Sequence, residues 1–510
     1  MATDTTTEEG SSTICETRAQ LKAIVQNTKP SVSPFAENKI QLQKSRSVSI
    51  QNIQDNPEEE TYAIVVNMEC ANSRTQSVFL QSLLADQNIP SSMKSYVISH
   101  KLGDGVSESD LISNVNAESC IDGLTYNPKM TGGTWTENNE AKALDFKEYS
   151  LRSQFDGSND PMDKYQFFHR RLQTSQAWEY FYHEAVGIKQ NVVVAIVDSG
   201  LDFANLDFQG RLWTNANGFY GFDFVNNDDD PTADHYHGVF IAGIIGAAPD
   251  NGVGLRGILK EQVEFMTVKV LDNNNAGLAA DFANGIRYAA DNGAHVINSS
   301  LFVNQANGGI LVRDAYAYAI NNGAFIAQSA GNDSKNINND PTSYPTIHTK
   351  DYGGVMSVAS LHVHDETLSD FSNFGSTYVE IAGFGSGGIV SYDLNSGLRT
   401  GQGTSFAAPM VAAAAAQIIG IFRTHNINYN PALVEQLISN NGTVVNAGLV
   451  GAVQGAKVLN LKVLADQLQE LYPQTKIPAP PAPRLILAIT SKELSSNLPP
   501  VGYTPNVVLN

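Results

Sequence analysis

Val192-Val193-Val194-Ala195-Ile196-Val197-Asp198-Ser199-Gly200 sets six apolar residues before an acid, a hydroxyl and a glycine. A mostly β-branched run with no polar face is the pattern of a strand buried on both sides in a parallel sheet. Outward from it, similar runs at Thr267–Leu271, His295–Ser299, Ala324–Gln328 and Val355–Ala359 alternate with helix-like segments. Two of those segments end alike, at Asp291-Asn292-Gly293 and Asn321-Asn322-Gly323. In both, glycine at C′ turns the chain from helix into strand. The alternation predicts an α/β fold with a mostly parallel sheet flanked by helices. Such sheets bind ligands beyond the carboxyl ends of their strands, so residues there are the candidates for chemistry.

Four groups stand at such places. Asp198 follows the first buried strand directly, a costly position for a carboxylate unless it is paired or functional. His237 precedes the small and apolar residues Gly238 to Gly243, where a helix begins. Asn332 follows Ala330-Gly331 after another buried strand. Ser405 opens the apolar stretch Phe406 to Phe422. Each has an ordinary reading, respectively turn aspartate, core histidine, turn residue and N-cap. Together they supply what nucleophilic acyl transfer needs: a hydroxyl, a base, a carboxylate to orient the base, and an amide to bind an oxyanion.

With these residues in place, the chain resembles the subtilisin-like serine peptidases, the subtilases of peptidase family S8. The resemblance rests on Asp198-Ser199-Gly200, on His237-Gly238 with Ala242-Gly243, on Ala330-Gly331-Asn332, and above all on Gly403-Thr404-Ser405-Phe406-Ala407-Ala408-Pro409. It runs from about Asn159-Asp160-Pro161, with Gln176-Ala177-Trp178, to about Leu464. It implies a serine endopeptidase with Ser405 as nucleophile, His237 as general base and acid, and Asp198 orienting His237. Asn332 and the Ser405 backbone N–H would form the oxyanion hole. Ser300, Leu301, Phe302, Ala330 and Gly331 would contact substrate. The family needs no cofactor for this chemistry. Its partners would be a polypeptide substrate and its own N-terminal propeptide, a chaperone and intramolecular inhibitor.

The chain departs from the family pattern in two places. Where the family reads Gly-His-Gly-Thr-His-Val-Ala-Gly, this chain has Tyr236, His237, Gly238, Val239, Phe240, Ile241, Ala242 and Gly243. Where the family reads Ser-Leu-Gly-Gly, it has Ser300-Leu301-Phe302-Val303. Phe302 either narrows the pocket for the residue before the cut or points away into packing. Ahead of the histidine, Asp223, Asp228, Asp230 and Thr232 offer hard oxygen ligands suited to a structural Ca²⁺; the same loop also reads as a solvated acidic turn. No cysteine or histidine spacing suits zinc.

The remaining chain divides by composition. Residues 1–60 read as a flexible leader, 61–130 as a small ferredoxin-like α+β module, 131–160 as a polar linker, 161–472 as the α/β domain and 473–510 as a Pro-rich tail; the resemblance implies that the module is the propeptide and the α/β domain the peptidase. In the module, Ser73-x-x-Gln76 and Ser107-x-x-Asp110 read as helix starts. Maturation cleavage is expected within 127–160. Net charge is −20, from 32 basic and 52 acidic residues. That argues against nucleic acid and anionic membranes as partners, since both need basic patches. Phe406 to Phe422 reads as a buried core helix rather than a membrane span. The three cysteines, Cys15, Cys70 and Cys120, form neither a disulfide framework nor a zinc site by spacing. The first residues lack the basic start and apolar run of a secretory signal, which leaves the compartment open. A monomer is expected. Two rival functions stay open: a narrow-specificity processing peptidase, and a catalytically silent binding protein of the same fold.

Overall fold

The computed structural model describes residues 61–73, 76–85, 87–101, 108–127, 129–131, 158–303, 306–340 and 342–478. The proposed leader, most of the linker and residues 479–510 lie outside that set.

The first unit runs β1 (Thr61–Asn67), α1 (Met68–Ser73), α2 (Val78–Leu84), β2 (Ser95–Lys101), α3 (Glu108–Ala117) and β3 (Ile121–Tyr126). Its strands form an antiparallel sheet in the order β2-β1-β3. Among the described residues this is three strands, one fewer than a complete ferredoxin-like sheet. The α2 cap is Ser77, whose hydroxyl accepts from Leu80 N at 3.1 Å; Ser73 instead ends α1. The cap falls at Ser77 because it sits next to the first helical residue, with extended backbone. Ser107 lies outside the described residues. Cys70 and Cys120 form a disulfide, a pairing that cysteine count and spacing did not indicate.

The chain continues through β4 (Lys129–Thr131), α4 (Phe167–Leu172), α5 (Thr174–Phe181), β5 (Val192–Asp198), β6 (Gly221–Asp223), α6 (Tyr236–Gly246), β7 (Val263–Lys269), β8 (Ala276–Leu278) and α7 (Ala279–Asp291). Then come β9 (Val296–Ser299), β10 (Phe302–Val303), α8 (Ala306–Asn321), β11 (Phe325–Ser329), β12 (Val355–His362), β13 (Ile381–Ser386), β14 (Ile389–Tyr392) and β15 (Leu398–Gly401). The last elements are α9 (Thr404–Thr424), α10 (Pro431–Asn441), β16 (Thr443–Val445), β17 (Lys457–Leu459) and α11 (Leu461–Leu471).

The main sheet has the order β16-β17-β13-β12-β11-β9-β5-β7-β6, parallel throughout except for β16. All five apolar runs read from sequence fall on strands of this sheet, though the run at Thr267–Leu271 catches only the end of β7 (Val263–Lys269). β5 alternates as a two-faced strand must: Val194 and Ile196 join the core formed with α6 and α9, while Val193, Ala195 and Val197 join the core formed with α7 and α8. α7 and α8 stop before Gly293 and Gly323, at φ +79° and +91°. Nothing lies within 4 Å of a Cβ built at either glycine, so conformation rather than space selects it. α9 is long and apolar enough to cross a membrane, but it is buried inside the protein. The packed chain also passes residue 472: Thr475 is buried and accepts the Tyr180 hydroxyl at 2.7 Å, because Pro473–Thr475 folds back as a turn of 3-10 helix.

The first unit docks on α7. Asn284 accepts from Val97 N at 2.7 Å and donates to Val97 O at 2.8 Å, pairing with the backbone of β2 as a neighbouring strand would. Asn127 Oδ1 accepts from Ala280 N at 3.0 Å, satisfying an amide in the first turn of α7. The cores of the two units are one continuous cluster. β4 then lies between β8 and β10, antiparallel to both: Met130 faces Gly277 and Val303, and Thr131 faces Ala276 and Phe302.

Candidate active site

Asp198 ends β5 with its carboxylate fully buried. Both of its oxygens lie 2.9 Å from His237 Nδ1, and Oδ1 also accepts from Ser199 N at 2.8 Å. A carboxylate only accepts, so Nδ1 is the donor to Asp198, and in the neutral ring this leaves Nε2 as the nitrogen that can take a proton.

His237 is the second residue of α6, and several contacts hold it there. Ser199 Oγ donates to His235 O and accepts from Gly238 N, each at 3.0 Å, tying the turn after β5 to the helix start. His235 Nδ1 accepts from His237 N at 3.3 Å as the N-cap. Burial, reinforced by the neighbouring His237, pushes His235 down to about 4, which keeps Nδ1 free to accept. A Cβ at Gly238 would come within 2.4 Å of Gly200 O, so this approach of helix to turn requires glycine. Buried Lys269 pairs with Asp234 at 2.8 Å and secures the segment leading into His235.

Ser405 is the second residue of α9, and its hydroxyl donates to Ser300 O at 3.2 Å. Pro409, one turn later, has no N–H for the Ser405 carbonyl. Ser300 Oγ donates to that carbonyl instead, at 2.9 Å, and itself accepts from Asn298 Nδ2 at 2.9 Å. The next ring, Phe406, lies 5.7 Å from the His237 ring and 4.1 Å from Phe240, which sets the start of α9 against α6.

Asn332 Oδ1 accepts from Thr404 N at 2.8 Å and from Thr404 Oγ1 at 2.9 Å. Its oxygen is thereby occupied, and Nδ2 remains as a donor at the end of α9 where the Ser405 N–H has no carbonyl within the helix. Two donors at the positive end of a helix suit an oxyanion.

The subtilase family model matches residues 189–468. The chain belongs to the subtilase family. It is 34% identical to thermitase of Thermoactinomyces vulgaris over 301 residues, 59% of this chain and 99% of thermitase. It is 35% identical to halolysin of Haloferax mediterranei over 303 residues, 59% of this chain and 53% of halolysin. It is 29% identical to a thermophilic serine proteinase of a Bacillus species over 290 residues, 56% of this chain and 66% of that protein. The chain thus spans about half of halolysin and all but 1% of thermitase.

In this subtilase the bulky residues of the altered histidine motif are housed by local packing. Phe240 stacks on Phe406, and Tyr236 lies under the Arg399 guanidinium, 3.9 Å from the ring centre, with Asp393 holding Arg399 at 2.8 Å. The hairpin of β14 and β15 supplies Arg399, and Ser391 Oγ on it donates to Phe240 O at 2.7 Å.

The residues expected to contact substrate separate into two groups. Ser300 and Leu301 are buried and engaged internally, Ser300 on Ser405 and the Leu301 carbonyl on Gln328 Nε2 at 2.8 Å. Phe302, Ala330 and Gly331 line a pocket with Ser343 and Tyr344. Sequence reading assigned no role to the supports Ser199, Lys269, Asn298 and Thr404; of these, Ser199 and Thr404 had a signal, as parts of the motifs around Asp198 and Ser405.

In the acidic loop the carboxylates accept hydrogen bonds from their own segment. Asp223 accepts from Val225 N, Asn226 N and Asn226 Nδ2; Asp228 accepts from Asp230 N; Asp230 accepts from Thr232. These carboxylates serve their own loop, as Asx turns do. No group of three or more His, Cys, Asp or Glu side chains converges as a metal site among the described residues.

Proposed function

We propose that this subtilase is a serine endopeptidase made as a zymogen, with residues 61–131 as its inhibitor. The observation that carries the enzymatic reading is the contact of Asp198 with His237 beside the start of α9, where Ser405 and Asn332 meet. Ser405 Oγ, rotated from Ser300 O toward His237 Nε2, gives up its proton and attacks the peptide carbonyl. Asn332 Nδ2 and Ser405 N–H bind the oxyanion. His237 returns the proton to the leaving amine, and water then hydrolyses the acyl-enzyme.

Two features support the zymogen reading. β4 occupies the groove between β8 and β10 as an added strand, the way extended peptides bind sheet edges. Met130 is also fully buried in the core shared by both units. A strand held by main-chain bonds in the groove leading to Ser405 blocks other polypeptides from it.

The test is labelling with a fluorophosphonate probe after limited proteolysis. The wild type is expected to label at Ser405 and Ser405→Ala to stay unlabelled. A wild type that resists the probe would favour the silent binding protein.

A further inference from the structure

Asn332 can offer Nδ2 to an oxyanion only while its backbone holds still, yet it sits in an irregular turn just past the end of β11. The order that the turn lacks comes from a distant segment. Asn373 lies between β12 and β13 and is 2% exposed. Its Nδ2 donates to Ala330 O at 3.1 Å, and its backbone N–H donates to Gly331 O at 2.9 Å. Its Oδ1 accepts from Asp333 N and from Lys335 N, both at 3.0 Å. Asn373 therefore grips the chain on both sides of Asn332, before it and after it.

Gly331 makes room for this grip. It has φ +99°, and a Cβ there would meet Asn373 Nδ2 at 2.4 Å, so both conformation and space call for glycine. Neighbouring groups fix the rest of the turn. Gln328 Nε2 donates to Ser329 O at 2.8 Å. Gly331 N donates to Thr404 Oγ1 at 3.1 Å, the same hydroxyl that donates to Asn332 Oδ1 at 2.9 Å. Thr404 thus sets the side chain of Asn332, and Asn373 sets the backbone beneath it. Asn373 is anchored in turn. Ser372 Oγ donates to its carbonyl at 2.9 Å and accepts from Ser360 N on β12 at 3.0 Å.

We propose that Asn373 is a positioning residue for the hydrolysis, acting through Asn332 to aim its amide at the oxyanion. This deepens the reading of Asn332 as oxyanion donor and rests on it. A donor stabilises developing charge only where it already points, and misplacing a catalytic group by about 1 Å can cost about 100-fold. Ala330 O keeps a second donor in Thr346 Oγ1 at 3.3 Å, so removing the Asn373 amide loosens the turn more than it strips that carbonyl. Asn373 also lines the pocket beside Phe302, so the test has to separate aiming from contact.

The experiment is the rate at which a fluorophosphonate probe labels Ser405 in the full chain after limited proteolysis. Attack on phosphorus develops a negative oxygen that the same donors stabilise. Asn332→Ala is expected to slow labelling at least about 100-fold, and Asn373→Ala at least about 10-fold. The double variant is expected to be no more than about 2-fold slower than Asn332→Ala, because Asn373 has nothing left to aim. Losses that multiply would make Asn373 a separate contact or a general support and overturn the proposal. A wild-type rate in Asn373→Ala overturns it as well. A wild-type rate in Asn332→Ala instead overturns the oxyanion reading beneath it. Asn373→Asp keeps the acceptor for Asp333 and Lys335 and loses the donor to Ala330. Its rate should fall between wild type and Asn373→Ala, and it carries the same cycle where the alanine variant unfolds.

Discussion

Ser405 stands four residues before a proline, and the cost of that proline falls on Ser405 itself. A helix-interior proline removes a backbone bond and crowds the carbonyl one turn earlier. Here that carbonyl belongs to Ser405, and Ser300 Oγ supplies the missing donor. Ser300 is therefore a positioning residue, reached from β9 through a buried hydroxyl. Ser300→Ala leaves the carbonyl without its partner and is expected to cost about 1–3 kcal/mol of stability. Chemical denaturation in a Ser405→Ala background measures that loss free of self-cleavage. In the active chain kcat should fall more than KM rises, because the nucleophile loses its fixed orientation. A rise in KM alone would make Ser300 a substrate contact.

Elements of this fold are held together by single side chains acting as strands or caps. Asn284 on α7 presents both ends of its amide to Val97 of β2. Asn284→Ala strands a buried N–H and C=O, a cost of about 1–3 kcal/mol each if water does not reach them. Hydrogen exchange at Val97 and its β2 neighbours is expected to speed up at least about 10-fold, with β9 and β11 unchanged; equal protection in the variant would show that docking does not depend on this pair. Such contacts also explain what sequence reading recovered. β5 was legible because burial on both faces leaves an unbroken apolar run, and β9, β11 and β12 because each opens on two or three consecutive apolar residues. β13 was not, because α9 lies on it. A Cβ at Gly383 would come within 3.0 Å of Ala407 O, and one at Gly385 within 2.4 Å of Gly403 O, so glycines interrupt the run where packing is tightest. In the same way Asp198, His237, Asn332 and Ser405 stand out by residue type at element ends. Lys269 and Asn298 do their supporting work inside ordinary-looking strand segments.

Across the whole molecule, buried acids set a pH trend. Burial raises Glu380 well above the carboxylate range, with the charge of Glu435 adding to the rise, and burial pushes Glu435 itself up to about 7. The Glu435 carboxylate accepts from Gly354 N, and that of Glu380 from Ser357 N at 2.9 Å. A carboxyl whose folded value lies above its unfolded one binds more protons in the native state. Its contribution is greatest below about 4.5 and is lost as pH rises through about 7. Glu435→Gln keeps an acceptor for Gly354 and removes the titration. Thermal unfolding of the Ser405→Ala protein from pH 5 to 8 is expected to show a smaller fall in Tm with Glu435→Gln than without it. Parallel slopes would assign the trend elsewhere.

The link between Cys70 and Cys120 joins residues 50 apart, a loop whose closure restricts the unfolded chain by about 4 kcal/mol in the entropic account. That restriction acts on the inhibitor unit and leaves the peptidase unit untouched, so under the proposed zymogen reading it governs timing. A severed inhibitor that unfolds reluctantly stays seated, and one with free thiols departs sooner. The interval between the first cut and full activity then becomes a clock whose rate is set by the thiol balance of the surroundings.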